Sequence, residues 1–499
     1  MNASASLDVA AVLAGKRILL TGASGFLGKV ALLRLLDRVP EAGHVTLLMR
    51  PGSFDTAEAR FAHIVATSPA FGPLREVHGE AVLGWLLDRV SIVAGDIAHP
   101  NLRLDDDACA SLRESVDVIV HCAALVDFDP DIRLALSSNV VGSLYVSAFA
   151  ESCERAALVH VSTCYVAGLR EGRVDELPVG DHSPSGDAFD AELELVALEN
   201  AIAVIEREHD GDPPRRVMVD LGRDRARALG WPNSYTYTKA LAEALVTLRH
   251  PDLSHAVLRP SIVESAVSFP FPGWNEGYNT CGPLAYLVGT WFKALPAKAS
   301  LPFDVIPVDF VASALWVATA RVLNGNAPPV FQCATSAKNP LTLGRALELT
   351  GLSQRRHLRS NGATLTDRQL RSRFDTTAFD TSHVLSLSSV TEAMKTSAEA
   401  LRKLPKGTPT KLKQEASTLS RKLTRNRRTL SGIEATVDAF TPFIRDIRQT
   451  FVADALSRQI VADPDLRFAP ESIDWRDYWL NIHMPGMRKW CFPKIEESL

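Results

Sequence analysis

A tyrosine and a lysine four residues apart, Tyr235 and Lys239, lie downstream of a glycine-rich run from Thr21 to Gly28. In that order the two features describe a site that holds a nicotinamide dinucleotide and protonates a carbonyl oxygen. On a helix, positions i and i+4 share a face, so both side chains can reach one pocket. A neighbouring ammonium favours the phenolate, so the Tyr235 pKa is expected to fall towards neutrality. That tuning suits a general acid. Tyr237 points to another face of the same helix and is expected to tolerate Phe.

The glycine run has its own chemistry. Gly22, Gly25 and Gly28 divide three jobs: a tight strand-to-helix turn, close approach of backbone to a pyrophosphate, and close packing of helix on sheet. The helix starting at Phe26 turns free amides and a partial positive charge towards the phosphates. Thr21, Ser24, Phe26 and Leu27 complete the expected cradle. The second strand ends in Arg50, where an NAD site usually places an acidic residue. An arginine suits a 2′-phosphate, so the expected cofactor is NADPH.

Three further segments end apparent strands. Asp96 and Ile97 would edge the adenine. Ala123 and Ala124 would let the cofactor lie against backbone. Val161 to Tyr165 offers a hydroxyl beside Tyr235, with Thr163 the first choice and Ser162 the second. Cys164 sits in an apolar strand end with no evident His partner, so a nucleophilic role is not expected. Asn139 is a candidate for ordering water near Lys239, with helix capping as the rival.

These residues need a scaffold. Short apolar strands are expected at 16–20, 44–50, 90–96, 116–121, 158–162 and 256–260, with a helix over 26–39 and further helical stretches between the strands. That alternation indicates a parallel sheet covered on both faces, the doubly wound Rossmann-type α/β fold, with ligands at the carboxyl ends of the strands. An insertion at 169–230 contains a helix over 190–208, with Asp190 as its cap. Its apolar stripe, Leu195, Leu198, Ile202 and Ile205, is a candidate substrate wall, as is the segment Phe269 to Trp274. Composition changes after about residue 340. The expected division is a reductase domain over 1–345 and a mainly helical C-terminal domain over 346–499. The latter carries a basic segment at 395–428.

Bulk composition excludes little but is useful. The chain has 499 residues, 46% hydrophobic and 22% charged, with a net charge of −4. That is ordinary for a soluble protein and gives no general attraction to nucleic acid. The seven cysteines show no metal-type spacing, so no metal is expected and reduced thiols of a cytoplasmic protein are. The first residues lack a basic region followed by an apolar run, so no secretion signal is expected. No stretch reads as about 18 strongly apolar residues, so no membrane span is expected. The basic segment could rest peripherally on the inner surface of an anionic membrane.

Taken together, the segments 21–29, 161–168, 235–239, 259–265, 271–274 and 304–309, with 473–478 and 483–489 near the end, resemble the bacterial alcohol-forming fatty acyl-CoA reductases. These are extended short-chain dehydrogenase/reductases with a characteristic C-terminal domain. The resemblance spans nearly the whole chain and is weakest from about 355 to 430. It implies that Thr163, Tyr235 and Lys239 are catalytic and that the 260–263 loop, including Pro260 and Ile262, flanks the nicotinamide. It further implies NADPH-dependent reduction of long-chain acyl-CoA to fatty aldehyde and on to primary alcohol, a step on the way to wax esters. An aldehyde-releasing or carrier-protein reductase, and a non-catalytic NADP(H) sensor, are the alternatives. Oligomeric state is not readable from the chain.

Overall fold

The computed structural model describes residues 6–276, 282, 285–286, 294–360, 377–379 and 440–498. Its centre is a seven-stranded parallel sheet. The strands are β1 (Arg17–Thr21), β2 (His44–Met49), β3 (Val90–Ala94), β4 (Val118–His121), β5 (Ala157–Val161), β7 (His255–Pro260) and β11 (Val330–Cys333), in the order β11-β7-β5-β4-β1-β2-β3. The doubly wound expectation is met. Six of the strands follow the apolar runs of the sequence. The seventh, β11, has only four residues, includes a glutamine and follows a Pro-Pro pair, so no clear run marks it.

The order reverses between β1 and β4, where Thr21 sits opposite His121. A doubly wound sheet opens a crevice at such a point. Two apolar layers cover the sheet. One face carries the Phe26–Arg38 and Val308–Leu323 helices, stapled by Trp316 Nε1 donating to the Ala31 carbonyl at 2.9 Å. The other carries the Ser234–Arg249 helix and the continuous helix Ile132–Ser152. The latter is long and apolar enough to cross a membrane by length and composition, but most of it is buried in this core.

The Ala191–Glu208 helix forms as expected, with Asp190 accepting from the amides of Glu192 and Leu193. Its stripe, however, is not a substrate wall. Leu195, Leu198 and Ile202 are buried and Ile205 packs beside them, against the core that contains Leu241 and Leu245. The Phe269–Trp274 segment is likewise structural. Trp274 is fully buried against Phe26, and Phe271 packs on Trp490.

Six short strands among the described residues lie outside that sheet: β6 (Glu171–Val174), β8 (Ile262–Glu264), β9 (Ala294–Pro296), β10 (Val305–Pro307), β12 (Thr377–Phe379) and β13 (Arg448–Phe451). β13 pairs in parallel with β6, bringing the chain end back to the sheet. Residues 440–498 are mostly helical and share cores with the part of the chain that carries the sheet. Ala453, Leu456, Leu466 and Phe468 join the first layer, and Arg38 grips Asp463 with two hydrogen bonds of 2.7 and 2.8 Å. The basic segment 395–428 lies outside the described residues.

Beneath the Ser234–Arg249 helix, Arg259 of β7 donates through Nε and Nη2 to the two oxygens of Glu243, and both side chains are buried. Removing one partner strands the other charge, which costs about 3–5 kcal/mol. Arg259→Met is therefore expected to lower the unfolding free energy by that amount, read as a lower denaturant midpoint. The double variant Arg259→Met/Glu243→Leu should recover most of it. Equal midpoints for wild type and Arg259→Met in urea unfolding would refute this role.

Candidate active site

At the switch point the strand ends enclose a cavity of about 490 Å³. It is lined by Thr21, Gly22, Ser24, Gly25, Phe26, Leu27 and Gly28, by Arg50, Asp96, Ile97, Ala123 and Ala124, by Thr163, Tyr235 and Lys239, and by Pro260 and Ile262. Every site residue expected from the sequence thus meets in one place. The reason is topological: each lies within a few residues of a strand's carboxyl end or on the first turns of the helix packed beside it.

The glycine turn is tight. Gly22 has φ +78°, and a Cβ there would stand 2.6 Å from the Ala123 nitrogen. A Cβ on Gly28 would overlap the Gly22 carbonyl. No side chain caps the Phe26–Arg38 helix, so its first amides face the cavity without a competitor. Thr21 Oγ1 accepts from the Ala123 amide at 3.2 Å and shares a hydrogen bond with His121 Nδ1 at 2.8 Å. Burial pushes His121 down to about 3, so it is neutral.

At the far end of the cavity, the Arg50 side chain is 65% exposed, with its guanidinium 3.9 Å from Asp96 Oδ2. Arg60 also lines the cavity and donates to the Arg50 carbonyl at 2.7 Å. Sequence reading missed Arg60. The available signal was a second arginine on the helix that follows β2.

Tyr235 occupies the first turn of the Ser234–Arg249 helix, which Asn233 caps by accepting from the Thr236 amide at 2.9 Å. One turn on, Lys239 is 1% exposed. Its ammonium donates to the Val161 carbonyl at 2.7 Å and lies 3.4 Å from His160 Nε2. Burial lowers Lys239 to about 8, with nearby Glu243 opposing the shift. The expected depression of Tyr235 is not found: burial raises the phenol to about 12. The lysine's hydrogen bonds run to β5, and desolvation of the phenolate dominates. At neutral pH the site therefore holds a protonated phenol, the form an acid must have to donate.

Thr163 Oγ1 accepts from the Tyr165 amide at 3.3 Å and makes only a long, 3.4 Å contact to the Pro260 carbonyl. Ser162 Oγ is buried, lines the same cavity and has no partner. Both residues line the cavity, and neither hydroxyl is committed elsewhere by a strong donated bond. Cys164 donates to the Arg259 carbonyl at 2.9 Å, and burial pushes its thiol well up, so it is no nucleophile.

Two expectations need correction. Asn139 lies inside the Ile132–Ser152 helix and does not cap it. Its amide clamps both backbone groups of Leu125 and donates to Thr238 Oγ1, tying the loop after β4 to the Ser234–Arg249 helix. Tyr237 does point away from the cavity, but it is fully buried and donates to Glu194, which also accepts a forked pair from Arg225. Phe at 237 would remove a buried hydrogen bond.

Sequence reading also missed Phe128, Tyr165, Glu276, Phe440 and Phe443, all of which line the cavity. Glu276 is held by Lys29 and by Ser68 Oγ at 2.9 Å. Among the described residues no His/Cys/Asp/Glu group could hold a metal.

Comparison with known proteins agrees with this geometry. An NAD-binding family model described as Male sterility protein matches residues 20–315. Fatty acyl-CoA reductase 1 of Arabidopsis thaliana is 30% identical over 486 residues, covering 95% of this chain and 97% of that protein. The alcohol-forming fatty acyl-CoA reductase of Simmondsia chinensis is 29% identical over 95% of this chain and 96% of its own. The chloroplastic fatty acyl-CoA reductase 2 of Arabidopsis thaliana is 32% identical over 69% of this chain, which spans 58% of that relative's length. Among solved structures, the terminal R domain of the myxalamid biosynthetic pathway superposes with a TM-score of 0.58. It is 17% identical over 96% of this chain and 91% of that domain, a likeness of fold.

The buried lysine makes a pH prediction. Its charge is present below about 8 and lost above it. kcat/KM, which reports the free enzyme, is expected to fall as pH rises through about 8. Tyr235, up at about 12, adds no limb below that. A profile that stays flat to about pH 10 would exclude Lys239 as the titrating group.

Proposed function

The chain belongs to the fatty acyl-CoA reductases, and we propose that it reduces a long-chain acyl-CoA first to the aldehyde and then to the primary alcohol, using NADPH for both steps. The observation that carries this reading is the single cavity joining the glycine turn to Thr163, Tyr235 and Lys239. The turn fits a dinucleotide. It leaves no room for side chains at Gly22 and Gly28 where pyrophosphate and backbone must approach, and it sets uncapped amides beyond them.

When bound, the nicotinamide supplies a hydride for each of the two reductions. The chain's residues supply position and charge. The Thr163 and Tyr235 hydroxyls face the point where the carbonyl oxygen gains charge and hydrogen-bond to it there. Loss of CoA thiolate from the thioester carbon leaves the aldehyde. In the second step the Tyr235 phenol gives its proton to the alcohol oxygen. The Lys239 ammonium, held at the end of β5 by the Val161 carbonyl, would hold the nicotinamide ribose.

Incubation of the protein with palmitoyl-CoA and NADPH, with product identification by gas chromatography, tests the reading. Hexadecanol with two NADPH consumed per thiol released is expected. Hexadecanal alone would reduce the activity to its first half, and no thiol release would overturn it. Tyr235→Phe is expected to lower turnover by roughly 10²–10⁴-fold while retaining cofactor binding. Near wild-type turnover of a long-chain aldehyde by that variant would remove Tyr235 from the role.

The preference for NADPH rests on two guanidiniums, Arg50 just past β2 and Arg60 on the helix that follows it. Each charge-assisted hydrogen bond to a 2′-phosphate contributes roughly 1.5–3 kcal/mol. Arg50→Ala and Arg60→Ala are each expected to raise KM for NADPH by about 10- to 100-fold and to leave NADH use nearly unchanged. Equal losses with both cofactors would count against this selection.

A further inference from the structure

We propose that Phe128, Phe440 and Phe443 form the wall that receives the acyl chain and sets the preference for long chains; this rests on the reductase reading above. Beside Tyr235 the cavity lining turns from polar to aromatic. The Phe128 ring lies 6.4 Å from that of Tyr235. It stacks on Phe443 at 5.3 Å and 24°, and meets Phe440 edge-on at 5.3 Å and 75°. Tyr165, two residues beyond Thr163, presents its ring edge-on to Phe443 at 5.0 Å. All four line the cavity.

The wall is fixed relative to the catalytic residues by backbone pairing. The Thr163 turn runs on into β6, and β6 pairs with β13, with Glu171 opposite Arg448. Gln449 adds a 2.6 Å bond from Nε2 to the Gly168 carbonyl. Phe443 therefore stands a few residues upstream of a strand registered to the Thr163 segment. It sits on a π-helical turn, Pro442–Asp446, a geometry frequent at functional sites. Both C-terminal phenylalanines lie beyond residues 20–315, the part matched by the family model. The wall is thus supplied by a different stretch of chain from the catalytic set.

The chemistry of the wall selects its occupant. A thioester carbonyl carries two substituents. The CoA side bears amides and phosphates, which an aromatic wall would leave unpaired at a cost. The acyl side is all methylene, and its burial against rings is favourable. With the carbonyl oxygen at Tyr235 and Thr163, the acyl chain is the substituent suited to Phe128, Phe440 and Phe443. Rigid rings suit this use, because they keep the groove shaped before the substrate arrives.

Aldehydes isolate the wall from CoA binding. The full-length protein, its Phe128→Ala variant and its Phe443→Leu variant are compared on butanal and decanal with NADPH. Phe128 is half-buried and packs on the margin of the core, so its truncation disturbs less than a change at the buried Phe443. In each variant, kcat/KM for decanal is expected to fall by about tenfold. The value for butanal should move less than about threefold, and the NADPH Kd read by fluorescence should not change. Equal falls for both aldehydes, an unchanged ratio, or no turnover of either aldehyde by the wild type would overturn the proposal. If Phe443→Leu does not fold, Phe128→Ala decides. Palmitoyl-CoA given to the wild type tests the reductase reading separately: failure there with a shifted aldehyde ratio would sink the thioester chemistry and leave the wall.

Discussion

One buried ammonium constrains much of this molecule. Lys239 is almost wholly enclosed, and a charge so placed must be met by fixed dipoles or by other charges. The Val161 carbonyl, at the carboxyl end of β5, meets it directly. Glu243, one turn along the same helix, opposes the loss of its proton and is itself held by Arg259 of β7. The Ser234–Arg249 helix is therefore bound to two neighbouring strands through one line of charges and dipoles. The strands carry Thr163 and Pro260 at their ends. Holding the lysine in register consequently holds the hydroxyls in register too. The Asn139 clamp adds a third attachment, from Thr238 of the same helix to the loop after β4.

Local features were legible in the sequence because the fold turns locality into convergence. In a doubly wound sheet every strand points its carboxyl end at the same crevice. A residue just past an apolar run, such as Asp96 after β3 or Ala123 after β4, is near the site by topology alone. The glycine turn and the Tyr235–Lys239 spacing are likewise short-range. Arg60, Phe440 and Phe443 obey no such rule. Arg60 reaches the cavity from a helix, where period alone does not distinguish a ligand-facing arginine from a solvated one. The two phenylalanines arrive through the β6–β13 pairing, which joins segments far apart in sequence and has no local signature.

Spacing also carried two arguments too far. The i and i+4 relation places two side chains on one face, but it does not say which environment governs them. Tyr235 and Lys239 share a face, yet burial raises the phenol, while the ammonium's hydrogen bonds run to β5. The same gap explains the Leu195, Leu198, Ile202 and Ile205 stripe. Amphipathic periodicity reveals that a face is covered, and the cover here is the protein's own core. Tyr237 shows the reverse error. It turns away from the reaction but is anchored to Glu194 and Arg225, so a residue off the catalytic face can still be fixed by a buried network.

The segment 262–265 and the C-terminal segment are bound by a second polar network. Glu264, at the end of β8, is completely buried and accepts from Asn275 Nδ2 at 3.0 Å. Asn275 also donates to Ser265 Oγ, which meets His483 Nδ1 at 3.0 Å, while Tyr478 donates to the Ser265 carbonyl at 2.8 Å. His483 and Tyr478 belong to the C-terminal segment. A carboxylate sealed from water at the end of β8 depends on these partners. Ile262 and Val263 of the same strand line the cavity. Gly486 adds a steric condition: any Cβ there would collide with the backbone of Gly273, so the segment seats directly on the loop that follows β8. The cofactor side of the cavity and its aromatic side thus share one support. The C-terminal residues line the cavity through Phe440 and Phe443, and through His483 and Tyr478 they hold β8, whose Ile262 and Val263 line it too.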